Sequence, residues 1–133
     1  MVDGNIVEET SQTSLGTIRI ANEVVAIIAG LAATEIDGVA GMSGGIAGGI
    51  AEMLGRRNLA RGVKVEVGER EAAIDLFLIV DFGVRIPDVA LRVQENVKQA
   101  IESMTGLAVI EVNVHVQGVS FAEGQDEQQQ RVK

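Results

Sequence analysis

Apolar residues recur along this chain with two periods, and the switches between them outline a fold. Ile18 and Ile20 alternate weakly within Leu15-Gly16-Thr17-Ile18-Arg19-Ile20, which predicts a short strand. Val24, Ile27, Ile28 and Leu31 then fall at i, i+3, i+4 and i+7, the spacing of one buried helical stripe. Asn22 suits the N-cap of this helix and Glu23 the positive end of its dipole, while Gly38 stops it near Asp37. Val39 to Met42 is expected as another short strand. Val63, Val65 and Val67 alternate with Lys64 and Glu66, which gives one core face and one wet face. After the polar turn Gly68-Glu69-Arg70-Glu71, alternation resumes at Ile74, Leu76, Leu78, Val80 and Phe82, so the two runs form a hairpin. The opposite face of the second run holds Phe77 and Ile79 as well as Asp75 and Asp81. A strand apolar on both faces is central, or half of it is covered by a partner.

Pro87 fits the first residue of a second helix, where its missing N–H leaves nothing unpaired. Val89, Val93, Val97, Ala100, Ile101 and Met104 form the expected buried stripe, and Gly106 closes the helix. Asp88–Arg92 and Lys98–Glu102 fall at i,i+4 on the wet side, each pair contributing a few tenths of a kcal/mol. In the last strand Ile110, Val112, Val114 and Val116 are expected inward, and Glu111, Asn113, His115 and Gln117 outward. The order β-α-(β)-ββ-α-β predicts an α+β two-layer sandwich, with two main helices on one mostly antiparallel or mixed sheet. Residues 1–13 and 122–133 are polar and aperiodic, so they read as disordered tails around a single domain at 14–121.

Composition narrows the chemistry more than the fold. The 133 residues hold no Cys, no Trp, no Tyr and one His, which excludes disulfides, thiol nucleophiles and multi-histidine metal sites within one chain. Asp75 and Asp81 lie on one strand, about 20 Å apart, too far to act as a carboxylate pair. Ser14, Ser43 and Ser120 lack a nucleophile-elbow motif. His115 reads as an ordinary polar side chain, and no catalytic constellation, metal site or cofactor site is expected. The net charge is −8, of which −3 lies on residues 1–13 and −1 on 122–133, leaving −4 on the domain. Such a surface repels phosphate backbones and disfavours nucleic acid. The acidic start is not expected to be a signal peptide, and the longest uncharged run, Gly38 to Ala51, is 14 residues against the roughly 20 that span a bilayer. A cytoplasmic chain is expected, able to touch a membrane from one side.

Seven of the sixteen glycines lie between Gly38 and Gly55, around the tandem repeat Gly44-Gly45-Ile46-Ala47-Gly48-Gly49-Ile50-Ala51. A phosphate cradle is disfavoured, since no Gly-Lys-Ser/Thr follows and no dinucleotide fingerprint is formed. Ile46, Ile50, Met53 and Leu54 instead fit one face of a helix over 46–57, with Arg56 and Arg57 at its negative end. Each interior Gly costs about 1 kcal/mol of helix relative to Ala, so such a helix suits a segment ordered on contact. A plain surface loop is the other reading, and both stand. Arg61 completes a basic cluster with Arg56 and Arg57, suited to acidic headgroups, an acidic partner or helix capping. The candidate partner-binding residues are therefore Ile46, Ile50, Met53, Leu54, Arg56, Arg57, Phe77 and Ile79.

Leu15-Gly16-Thr17-Ile18-Arg19-Ile20-Ala21 and Ile36-Asp37-Gly38-Val39-Ala40-Gly41-Met42 are joined by later runs with a common character. These are Gly62-Val63-Lys64-Val65-Glu66-Val67, Asp81-Phe82-Gly83, Ile86-Pro87, Gln94-Glu95-Asn96-Val97, Met104-Thr105-Gly106-Leu107 and Val112-Asn113-Val114-His115-Val116. In order and spacing, over residues 14–121, they resemble the alkaline shock protein family, the envelope stress response proteins of Gram-positive bacteria. The resemblance implies a non-enzymatic cytoplasmic scaffold or adaptor in envelope homeostasis. It implies docking on a small membrane-anchored protein, hence indirect membrane association, and assembly into a homo-oligomer. One branch of the family is instead linked to fatty-acid synthesis. The family supplies no catalytic residues to carry over, and the Gly-Gly-Ile-Ala repeat falls where its members vary. An alternative is a KH-like nucleic-acid module, with Gly45-Ile46-Ala47-Gly48 as its backbone clamp. Against that stand the missing basic residues in the loop and the missing Trp and Tyr.

Overall fold

A computed structural model of the chain describes residues 10–44 and 60–121. The elements are β1 (Thr10–Thr13), β2 (Gly16–Arg19), α1 (Asn22–Thr34), β3 (Val39–Met42), β4 (Val63–Val67), β5 (Glu71–Asp81), α2 (Ile86–Thr105) and β6 (Ala108–Ser120). The core is built on β5. Its alternation puts Ala72, Ile74, Leu76, Leu78 and Val80 on one buried face, each at most 1% exposed. Both helices cover that face, α1 through Val25, Ala29, Ala32 and Ala33 and α2 through Val89, Val93, Val97 and Ile101. This is the expected two-layer α+β sandwich.

β5 is central because it has partners on both edges. β6 runs parallel to it along its whole length, from Glu71 opposite Ala108 to Asp81 opposite Ser120. That parallel pairing follows from the α2 crossover between the two strands. The other edge is shared end to end by two antiparallel strands, β4 along Ala72–Leu76 and β3 along Leu78–Val80. Where they meet, Phe77 donates its N–H to Gly62 O at 2.8 Å and accepts from Ser43 N at 2.7 Å.

Several local expectations need correction. α1 turns Val25, Ala26, Ile28, Ala29, Ala32 and Ala33 inward, whereas Val24 and Leu31 are each 44% exposed. The helix is apolar almost all round, so its periodicity does not fix its phase, and the small side chains win the close approach to the sheet and α2. Ala21, not Asn22, holds the N-cap position, with no side-chain cap. The helix ends at Thr34 with Glu35 as C-cap, and Gly38 follows in the turn into β3. α2 opens at Ile86 with Pro87 in its first turn and stops at Gly106, whose φ of +83° is left-handed. Met104 lies past the buried stripe and is exposed, as is Phe82 beyond the end of β5. Asp88 pairs with Arg85 at 3.3 Å instead of with Arg92, while Lys98–Glu102 forms as expected at 2.9 Å.

In β6, register shifts opposite Ala72/Ala73 and Leu78/Ile79 insert Ile110 and Gln117 as extra residues. The first shift turns Ile110 out to 60% exposure and sends Val109 into the core in its place, after which Val112, Val114 and Val116 pack inward as expected. A strand also occupies Thr10–Thr13, in the stretch that polarity assigns to the N-terminal tail. It pairs antiparallel with β2 across a turn at Ser14-Leu15, from Thr10 opposite Arg19 to Thr13 opposite Gly16.

Candidate interaction face

No described element covers the second face of the sheet. Strand alternation places Ala73, Asp75, Phe77 and Ile79 of β5 there, all half-buried, beside Lys64 and Glu66 of β4 and Glu111, Asn113 and His115 of β6. The pairing orders them in rows across the strands. Glu66–Ala73–Glu111 is acidic, Lys64–Asp75–Asn113 is mixed, and Phe77 lies beside His115. In the last row Ile79 stands between Gly41 and Gly118. A Cβ at Gly118 would lie 3.5 Å from Ile79 Cγ1, and one at Gly41 would meet nothing within 4 Å. Ile79 thus rises from a row with no neighbouring side chains, a knob beside a shallow step.

Phe77 is the centre of this face. Its ring stacks on His115 with centroids 4.5 Å apart and planes 11° from parallel. Lys64 Nζ lies 5.6 Å from the Phe77 centroid, within cation–π range. His115 Nε2 is 3.2 Å from Asp75 Oδ1. The second β6 bulge lets Gln117 accept a hydrogen bond from Ser43 Oγ at 2.9 Å, linking β6 to the residue that follows β3. The same Phe77 backbone ties both ends of the glycine-rich insertion, through Ser43 and Gly62. Arg61 Nη1 donates to Gly44 O at 2.7 Å across that neck.

Of the sequence candidates, the structure therefore brings Phe77 and Ile79 together on the open face. Ile46, Ile50, Met53, Leu54, Arg56 and Arg57 lie outside the described residues. His115, Asp75, Lys64, Ser43 and Gln117 join the face without having been singled out for it, because only strand pairing brings them to Phe77. The signal available was the outward alternation of Glu111 to Gln117. Among the described residues no three His, Asp or Glu side chains form a group that could hold a metal. Nor is any helix among them long and apolar enough to cross a membrane.

The fold and this face define a small α+β domain whose distinctive surface is a mixed aromatic and polar sheet face. Its sequence matches the profile of the alkaline shock protein 23 family, of cell envelope-related function, over residues 10–121, and the chain belongs to that family. The match agrees with the resemblance carried by the sequence motifs. The chain is 43% identical to the YqhY protein of Bacillus subtilis strain 168 over 122 residues, which are 91% of this chain and 90% of that protein. Identity to the YloU protein of the same strain is 42% over 110 residues, 81% of this chain and 92% of YloU. A stress response regulator Gls24 homologue of Streptococcus pyogenes serotype M3 is 30% identical over 120 residues, 90% of this chain and 67% of that protein. No solved structure matches the chain significantly.

Proposed function

We propose that this chain is a non-enzymatic scaffold or adaptor of the cell-envelope stress response, docking on a small membrane-anchored protein and associating with further copies of itself. The observation that carries the reading is the sheet face that no described helix covers, where Phe77 and Ile79 of the central strand stand within a fringe of hydrogen-bonding groups. An apolar centre with a polar rim is the composition of protein-binding surfaces. The charges on the face, Glu66, Asp75 and Glu111 against Lys64, favour a protein over a phosphate backbone. The envelope-related function of the family and the stress-response name of a relative support the cellular setting.

The reading is tested by fractionating the cell that makes the protein. The wild-type chain should sediment with membranes, and Ile79→Asp should move it to the supernatant while leaving the thermal melt nearly unchanged. An Ile79→Asp chain that sediments like the wild type would remove the open face from the reading.

A further inference from the structure

β1 and β2 form a two-stranded sheet of their own, separate from the sheet of β3 to β6. Side chains from Ser14 to Arg19 are all exposed, and the ribbon packs extensively with no other described element. An isolated two-stranded ribbon is marginal in water. A further strand partner would stabilise it.

The domain also carries an unequal strand edge. β6 is 13 residues long and, among the described strands, pairs only with β5. Side chains of α2 close the first part of its outer edge. Glu102 accepts from Val109 N at 2.9 Å, Lys98 donates to Val109 O at 3.3 Å, and Gln94 donates to Val112 O at 2.8 Å. From Asn113 to Val116 no described backbone or side-chain group reaches that edge. The bulges at Ile110 and Gln117 bracket a regular stretch, Glu111 to Val116. Its open part, Asn113 to Val116, is about 13 Å long, the length of the four-residue β1. Neither proline nor lysine, the usual guards of an exposed edge, occurs in β6.

A ribbon is poorly placed to reach the edge of its own domain. α1, which follows it directly, packs over β3 and β4, at the side of β5 opposite β6. Charge agrees with a contact between copies: Arg19 is the one charged residue from Thr10 to Arg19, and Glu111 is the one formal charge in β6. We infer that the β1–β2 ribbon of one copy adds to the Asn113–Val116 edge of β6 in a second copy, extending its sheet by main-chain hydrogen bonds. Each copy offers a ribbon at one side and an edge at the other. The contact is therefore heterologous and builds a row of copies instead of closing a two-fold dimer. This inference rests on the self-association in the proposed function and names the two surfaces that would make it.

The full chain is suited to cross-linking, since it has no cysteine of its own. One set of variants carries Ser11→Cys, Gln12→Cys or Thr13→Cys, and a separate variant carries Asn113→Cys. Each ribbon variant is mixed with the edge variant and oxidised. The expected result is a mixed disulfide as the dominant product for at least one pairing, lost when Thr17→Pro is added to the ribbon variant. Three outcomes would overturn the contact: no mixed disulfide, a dominant Asn113→Cys self-disulfide, or closure within one chain when Gln12→Cys and Asn113→Cys are combined. Light scattering on the wild type separates this from the broader reading. A mass that rises with concentration without the mixed disulfide leaves self-association standing and rejects these surfaces. A mass fixed at 14.0 kDa at every concentration rejects both.

Discussion

Phe77 and His115 lie face to face on neighbouring parallel strands, ring centroids 4.5 Å apart, and His115 also meets Asp75 at 3.2 Å. Direct opposition in the β5–β6 register makes the stack, and the half-buried ring of Phe77 gives it energetic weight. A double-mutant cycle with Phe77→Leu and His115→Ala should give a coupling of about 0.5–1 kcal/mol by urea denaturation. Far-UV circular dichroism is the suitable signal, since the chain has no Trp or Tyr. Additive single variants would mean that the rings lie together without stabilising each other.

Gly62 sits in the neck of the insertion with φ of +79°, and a Cβ there would lie 2.8 Å from Ser43 O and 3.0 Å from Phe77 O. Both atoms belong to backbone, so relief requires the β3–β5–β4 junction to move. Gly62→Ala should destabilise the domain by about 2–3 kcal/mol. Gly41→Ala, whose Cβ enters open space, should stay within about 0.5 kcal/mol of the wild type. Thermal melts of the two variants check the contrast.

The phase of α1 makes a second paired test. Val25 is fully buried, whereas its neighbour Val24 is 44% exposed. Val25→Ala should cost about 1–3 kcal/mol and Val24→Ala less than about 0.5. The reverse order would restore the stripe that the sequence periodicity suggests.

Glu102 links α2 to the start of β6. Its carboxyl titrates below the usual carboxylate range because Val109 N–H donates to it, with Lys98 Nζ adding a second hydrogen bond and its charge. A lowered native pKa means that the contribution is present at neutral pH and is lost as pH falls through that value. Glu102→Gln should therefore melt lower than the wild type at pH 7, and the gap should close in acid, below the ordinary glutamate value of about 4.3. A gap independent of pH would assign the effect to packing.

Strand alternation made β4, β5 and the inward valines of β6 legible, and the apolar second face of β5 pointed to Phe77 and Ile79. Three features lay beyond such patterns, each for a physical reason. α1 is apolar around most of its circumference, so packing of Ala29, Ala32 and Ala33 decides which side is buried. A bulge at Ile110 breaks the two-residue period without any local marker such as Gly or Pro. β1 is held by pairing with β2 and has no apolar alternation of its own. The partners of Phe77 were hidden for a related reason: Lys64, Asp75 and His115 come from three strands, and their register is a tertiary property.

In the proposed function, the sheet face left open by the described helices meets a membrane-anchored protein. The most direct test places a photo-cross-linking amino acid at position 77 or 79 in the full chain, expressed in its own cell. A control carries the same residue at position 91, where Leu91 is 53% exposed on the helix layer. Positions 77 and 79 should cross-link to an integral membrane protein, and position 91 should not. Cross-links to that protein from position 91 alone, or none from either sheet position, would contradict this contact.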